Sequence, residues 1–227
     1  MVIPFPTVFP VRLVDAGGLV IALILLVLLY FQFRGWMPAL RAKYFSTRIE
    51  FQFGLKSLIR EYVYQRDLVS CNKPFWVAHL AVFWGFLLLT LSTIMDDIFN
   101  RSGAPLPLNS PIRISGNVGG VMLVGGLAYI IIRRVYDWRI RRDTKLGNTV
   151  FLGLLLLAGV TGFATEFTAY SNSYLSLYLV YAIHLLFVSV LLAFAPITKF
   201  AHAIGRPVLI LFERSRAQER TDNKKNN

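Results

Sequence analysis

YLSLYLVYAIHLLFVSVLLAFAPITKFAHA, residues 174–203, holds one formal charge, Lys199, close to its end. An apolar run of about 20 residues is long enough to cross the hydrocarbon layer as a helix. No water is available there to bond stray amides, so every backbone group must be satisfied within the segment. Four more runs share this character, at roughly residues 13–33, 75–95, 116–132 and 149–165. The pattern predicts an all-α integral membrane bundle of five transmembrane helices over residues 1–212, followed by a polar tail at 213–227. Of the 227 residues, 56 % are hydrophobic and 16 % charged, against about a quarter charged in soluble domains. A soluble globular enzyme is excluded. The first run lacks a basic leader and a small-residue cleavage site and ends in Arg34, Arg41 and Lys43, so it reads as an uncleaved span.

The net charge is +12. In a soluble chain that excess would suggest nucleic acid; here the basic residues lie between apolar runs and report topology instead, with no nucleic-acid partner expected. Residues 34–73 carry eight Lys or Arg, residues 133–146 six, and the tail from Lys199 seven. The connections 96–114 and 166–173 carry two and none, and Arg12 alone lies near the start. Lys and Arg accumulate on the cytoplasmic side, so the N-terminus is expected outside and the C-terminus in the cytoplasm. Within the basic loop 34–73, Phe45, Ile49, Phe53, Leu58, Ile59 and Val63 recur at loosely helical spacing between Arg48, Lys56, Arg60 and Arg66. Such a segment suits anionic lipid and equally a docking surface for a cytoplasmic partner; the two are compatible.

The three histidines, His79, His184 and His202, all fall within or at the edge of predicted spans. An ionisable side chain at membrane depth is expensive and marks a candidate functional site, although a histidine bonded to a neighbouring helix would satisfy the same cost. His184 and His202 are 18 residues apart, five helical turns, so they share a face about 27 Å apart along the axis. That places His184 in the outer half and His202 at the cytoplasmic edge, with Pro196 bending the helix between them. His79, four residues into the second span, falls at the depth of His202. Two imidazoles across a gap at one depth are what a six-coordinate b heme needs. Gly85 would let a flat ring approach the backbone. Gly116, Gly119, Gly120, Gly125 and Gly126 on the third span read more readily as a helix-packing face. Lys199 and Arg206 would pair with heme propionates or anchor the inner membrane surface.

The stretch Trp76–Val77–Ala78–His79–Leu80–Ala81–Val82–Phe83–Trp84–Gly85–Phe86–Leu87 resembles the second span of the heterodisulfide reductase membrane subunit. Thr161–Gly162–Phe163 with Glu166, and His184 followed by Ala195–Pro196–Ile197–Thr198–Lys199–Phe200–Ala201–His202 and Pro207, extend the resemblance. The wider group is the five-span membrane cytochromes b, including the gamma subunit of respiratory nitrate reductase. The resemblance implies a b-type heme subunit of the prokaryotic cytoplasmic membrane that passes electrons between a quinone-type carrier and a peripheral iron-sulfur or molybdenum subunit. It implies His79 and His202 as axial ligands of the inner heme and His184 as a ligand of a second, outer heme. Leu89 stands where the nitrate reductase pattern has its other histidine, so the second heme would take a weak, non-histidine or absent sixth ligand, with Met122 and Met95 as thioether candidates. Glu166 would accept protons on the quinone side or sit as an end-of-helix charge.

Cys71 is the one cysteine, so the chain cannot hold a Cys-ligated cluster by itself, and a cytoplasm-facing iron-sulfur partner is expected. Ser173, Ser176 and Ser189 have no matched histidine and carboxylate at one depth, which leaves no hydrolytic constellation. The rival reading is a heme-free anchor or transporter with the histidines as packed polar groups or a proton relay. The charge distribution predicts active cytoplasmic reporters when fused after Arg34, after Arg142 and at the C-terminus, with external labels reaching Asn109 and Ser171. Labelling of Lys145 from outside intact cells would overturn this topology.

Overall fold

A computed structural model describes residues 11–44, 51–70, 72–100, 106–142, 146–170, 173–195 and 205–214. The described residues form helices and short connections, with no strand among them. In order these are α1 (Val11–Tyr44), α2 (Phe51–Leu58), a π-helical turn (Ile59–Val63), α3 (Arg66–Val69), α4 (Lys73–Phe99), α5 (Pro111–Tyr136), α6 (Trp138–Arg142), α7 (Leu146–Ala169) and α8 (Tyr174–Ala193). Residues 205–214 are again helical. Five segments are long and apolar enough to cross a membrane: Ala16–Pro38, Lys73–Phe99, Pro111–Tyr136, Leu146–Ala169 and Tyr174–Ala193.

The first four spanning helices outrun the apolar windows because hydropathy marks the hydrocarbon core and not the hydrogen-bonded ends. Helix α1 continues ten residues past Arg34, so the start of the basic loop is helix. Helix α5 begins at Pro111, with Ser110 in extended conformation before it; proline at the first helical position gives up only an amide that has no partner there. That earlier start brings Arg113 inside the helix. The fifth run was expected to reach residue 203, but α8 ends at Ala193 and residues 196–204 lie outside the described part, as does the tail from residue 215.

The chain divides into two compact units, one of residues 1–22 and 77–193 and the other of residues 23–76 and 194–227. In the first, α5 packs between α4 and α7, and α7 pairs with α8. The buried positions of α5 are Gly119, Gly120, Leu123, Gly126, Leu127 and Ile130, a stripe at helical spacing. Leu127 and Leu177 are wholly buried. Large apolar side chains such as Val121, Leu175 and Leu186 stay more than half exposed, as suits helices solvated by lipid.

Glycine makes the α4–α5 contact. A methyl group at Gly85 would lie 2.7 Å from the Gly119 carbonyl oxygen and 2.7 Å from the Leu123 amide nitrogen. One at Gly126 would lie 2.6 Å from the Ala78 carbonyl oxygen, and one at Gly116 would meet Ser92 Oγ at 2.7 Å. The helix-packing reading therefore holds for Gly116, Gly119, Gly120 and Gly126 and extends to Gly85, while Gly125 faces open space. The backbone of α5 occupies the approach to Gly85 that the sequence offered to a flat ring. Ser92 Oγ also donates to the Ile112 carbonyl at 2.8 Å, tying the far ends of the same pair.

Replacing Gly85 by Ala is expected to destabilise the protein by about 1–3 kcal/mol, since two backbones must separate. Gly125→Ala, where nothing lies within 4 Å of the added methyl, should be neutral. Unfolding in detergent, followed by circular dichroism, compares the two; equal effects would mean that the glycine contact does not hold α4 to α5.

Candidate functional site

His184 lies on α8, half-buried, with its Nδ1 3.1 Å from Thr161 Oγ1 on α7. The hydroxyl proton of Thr161 has its best acceptor one turn back, the Leu157 carbonyl at 2.7 Å. The hydroxyl oxygen is thus left to accept, and the imidazole donates from Nδ1. With its proton on Nδ1, the ring keeps the Nε2 lone pair, the donor an iron or another electrophile takes. A methyl group at Gly162 would stand 3.3 Å from His184 Cε1, and one at Gly120 would run into the Phe163 ring at 2.5 Å. The run Thr161–Gly162–Phe163 therefore has three physical jobs: Thr161 orients the imidazole, Gly162 makes room for it, and Phe163 fills the notch at Gly120.

The glycine contacts also give the relative heights of the candidate residues. His184 is level with Thr161 and Gly162. Through Phe163 against Gly120, that level falls near Gly120–Met122 on α5. Through Gly119 against Gly85 and Leu88, it falls near the middle of α4. His184 thus lies near mid-height of the helices, at the level of Thr161, eight residues from the end of α7. His79, beside Ala78 and level with Gly126–Leu127, is about six residues along α4, roughly 9 Å, from the height of His184. Met122 shares that height, whereas Met95 is about ten residues, roughly 15 Å, beyond it. The two thioethers are not equivalent: Met122 is level with His184 and Met95 is not.

Near the end of α7 lies a group that the sequence did not assemble. Arg113 donates from Nε to Glu166 Oε1 at 2.8 Å, and its Nη2 reaches the same oxygen. Its Nη1 donates to the Leu106 carbonyl. Asn117 adds a longer contact to Oε1 at 3.3 Å, and the guanidinium lies 4.9 Å above the Tyr170 ring. The Arg113 side chain is 10 % exposed and that of Glu166 31 %. Glu166, read from sequence as a quinone-side carboxylate or an end-of-helix charge, is an ion-pair partner joining α5 to α7. An arginine in the first turn of α5 was the available signal, but its partner lies 53 residues away.

In the second unit, Glu61 of the π-helical turn pairs with Arg214 at 2.6 Å, fastening residues 205–214 to the turn. A methyl group at Gly205 would overlap the Trp36 ring, so α1 and this last helix meet there. Arg206 is half-buried in the same helix. Burial raises the Tyr62 phenol above its ordinary value, keeping it neutral and able to donate. His202 and Lys199 lie outside the described residues. His79 lies on α4 in the first unit and is exposed there. Among the described residues, no three His, Cys, Asp or Glu side chains gather as a metal site; an axial heme site needs only two ligands.

The family model described as CitB, citrate utilization protein B, matches residues 71–224. Over 120 residues the chain is 26 % identical to a subunit of the dihydromethanophenazine:CoB–CoM heterodisulfide reductase of Methanosarcina barkeri, a match that covers 49 % of this chain and 46 % of that one. It is 25 % identical, with the same coverage, to the subunit of the same name from Methanosarcina thermophila. The chain spans about half the length of these curated relatives. No solved structure gives a significant match.

Removing one partner of a buried ion pair strands the other charge, at about 3–5 kcal/mol. The solvent reaching Glu166 lowers this to about 1–3 kcal/mol. Arg113→Met and Glu166→Gln should each destabilise by that amount, and the double variant by clearly less than their sum. Additive losses in detergent unfolding would show that the pair does not clamp α5 to α7.

Proposed function

The chain belongs to the CitB, citrate utilization protein B, family, and from that premise we propose that it is the b-heme membrane subunit of a respiratory oxidoreductase. In this reading it passes electrons between a quinone-type carrier in the membrane and a peripheral iron-sulfur subunit. The observation that carries the proposal is the bond between His184 and Thr161, which leaves Nε2 as a donor in the middle of an apolar helix bundle. The likeness to the heterodisulfide reductase subunits of the two Methanosarcina species supports it from an independent side.

The histidines would be the residues that hold the group. His79 and His202 would hold the inner heme, and His184 a second one, with Met122 the thioether at its height. Bound there, heme supplies a one-electron acceptor and donor. Thr161 orients the His184 ring, and Gly162 gives it space. Lys199 and Arg206 would pair with propionates, and Glu166 would serve on the quinone side from its bond to Arg113. The N-terminus lies outside in this reading, and the basic segment 34–73 faces the cytoplasm and the iron-sulfur partner. The two-heme arrangement of the nitrate reductase gamma subunit belongs to the same proposal, with Leu89 in place of one histidine.

A reduced-minus-oxidised spectrum of the purified chain, made with ample heme, is expected to give a b-type signal. Heme content should be two per chain, falling to one in His184→Ala, with His79→Ala and His202→Ala each losing the inner low-spin species. A chain without a b-type signal would instead be a heme-free anchor or transporter.

A further inference from the structure

A cavity of about 580 Å³ opens in the second unit, lined by Arg60, Tyr64, Arg66, Val69, Ser70 and Trp76. We propose that it binds the headgroup phosphate and upper acyl region of an anionic glycerophospholipid, a ligand the electron-transfer reading does not require.

The local backbone builds the site. Tyr64 closes the π-helical turn by donating its amide to the Ile59 carbonyl at 3.1 Å. Gln65 follows in the left-handed conformation, φ 49°, the one described residue other than glycine with positive φ. This sequence of a wide turn and a reversal is uncommon, and both features concentrate at functional sites. Its result is that Arg60 before the reversal and Arg66 after it border one cavity. Trp76 Nε1 donates to the Tyr64 carbonyl at 2.8 Å, which pins the first turn of α4 to the end of the π turn and forms the cavity's other wall. Glu61, the acid of the turn, is paired with Arg214, so its charge is already matched by a basic residue outside the cavity lining.

The lining is mainly apolar, with Arg60 and Arg66 at its border. Two guanidinium groups take a phosphodiester through paired N–H donors, which an ammonium cannot match. Val69 and the Tyr64 and Trp76 rings supply an apolar wall that a free phosphate would leave unused. Trp76 is the fourth residue of the spanning helix α4, and tryptophan and tyrosine favour the level where headgroup meets acyl chain. The volume lies within the range of about 300–1,000 Å³ for small-ligand sites: room for a headgroup, with the acyl chains left to the bilayer.

The test is native mass spectrometry of the full chain in mild detergent, titrated with phosphatidylglycerol and, separately, phosphatidylcholine. Saturable retention of phosphatidylglycerol is expected, about tenfold tighter than of phosphatidylcholine. The Arg60→Gln/Arg66→Gln variant should lose about that factor for phosphatidylglycerol alone, with its lipid-free unfolding midpoint unchanged. Arg60→Lys/Arg66→Lys, which keeps the charge and removes the paired donors, should fall between the two and decides the matter if the Gln variant does not fold. Arg139→Gln/Arg141→Gln/Arg142→Gln, outside the cavity, should bind as wild type. Loss in that triple variant equal to that in the double, or undiminished binding in both cavity variants, would overturn the site. Displacement of the lipid by millimolar inorganic phosphate would make it a free-anion site. Release of a protein partner by the cavity variants with lipid retention intact would make it a protein dock; either result overturns the proposal. None of these measurements depends on heme, so the outcome is separate from that of the electron-transfer reading.

Discussion

The backbone contact between α4 and α5 sets the rest of the first unit. Lipid tails are as apolar as leucine, so helices in a bilayer gain little from burying large apolar side chains against each other, and close packing of small residues takes over. At Gly85, Gly119 and Gly126 the two chains approach until even a methyl group would strike backbone atoms. A contact that tight has one register. With α4 fixed against α5, and α5 against α7 through Gly120 and Phe163, the heights of His79, His184, Met122 and Glu166 follow together.

Polar groups inside the first unit are handled in more than one way. Thr90, Thr93 and Thr165 return their hydroxyl protons to carbonyls one turn back, at 2.8 to 2.9 Å, which satisfies them within their own helix. Thr161 does the same toward Leu157, yet its oxygen also faces an imidazole from another helix, and this makes it a positioning residue. Arg113 follows a third course: a cation too large to hide in one helix recruits Glu166, Asn117, Tyr170 and the Leu106 carbonyl. The first unit thus holds an oriented imidazole at mid-height and an ion pair nearer one end.

The second unit is organised by a turn instead of a packed glycine face. A π-helical turn, a left-handed Gln65 and the Trp76 indole bond reverse the chain where α4 begins. The left-handed residue costs about 1–2 kcal/mol, and the indole bond and the Glu61–Arg214 pair help to hold the turn in place. This local device brings Arg60, Arg66, Tyr64 and Trp76 to the border of one cavity.

Hydropathy alone pointed to helices and to five segments long and apolar enough to cross a bilayer, because crossing demands long uninterrupted apolar runs that can be counted in one dimension. It also singled out the histidines and the third-span glycines, since ionisable and very small residues stand out against leucine and valine. The heights of those residues were another matter. Counting along one helix does not say which residues of other helices are level with His184, because that depends on where each helix begins and on its register with neighbours, and the register rests on glycines as far apart in sequence as Gly85 and Gly119. The same holds for Arg113 with Glu166, a pair that forms only once a helix contact has brought its members together, and for Arg60 and Arg66, which border one cavity only because the chain reverses between them. Composition and spacing determine what must be buried in lipid; only the packing of backbone on backbone decides which polar groups meet there.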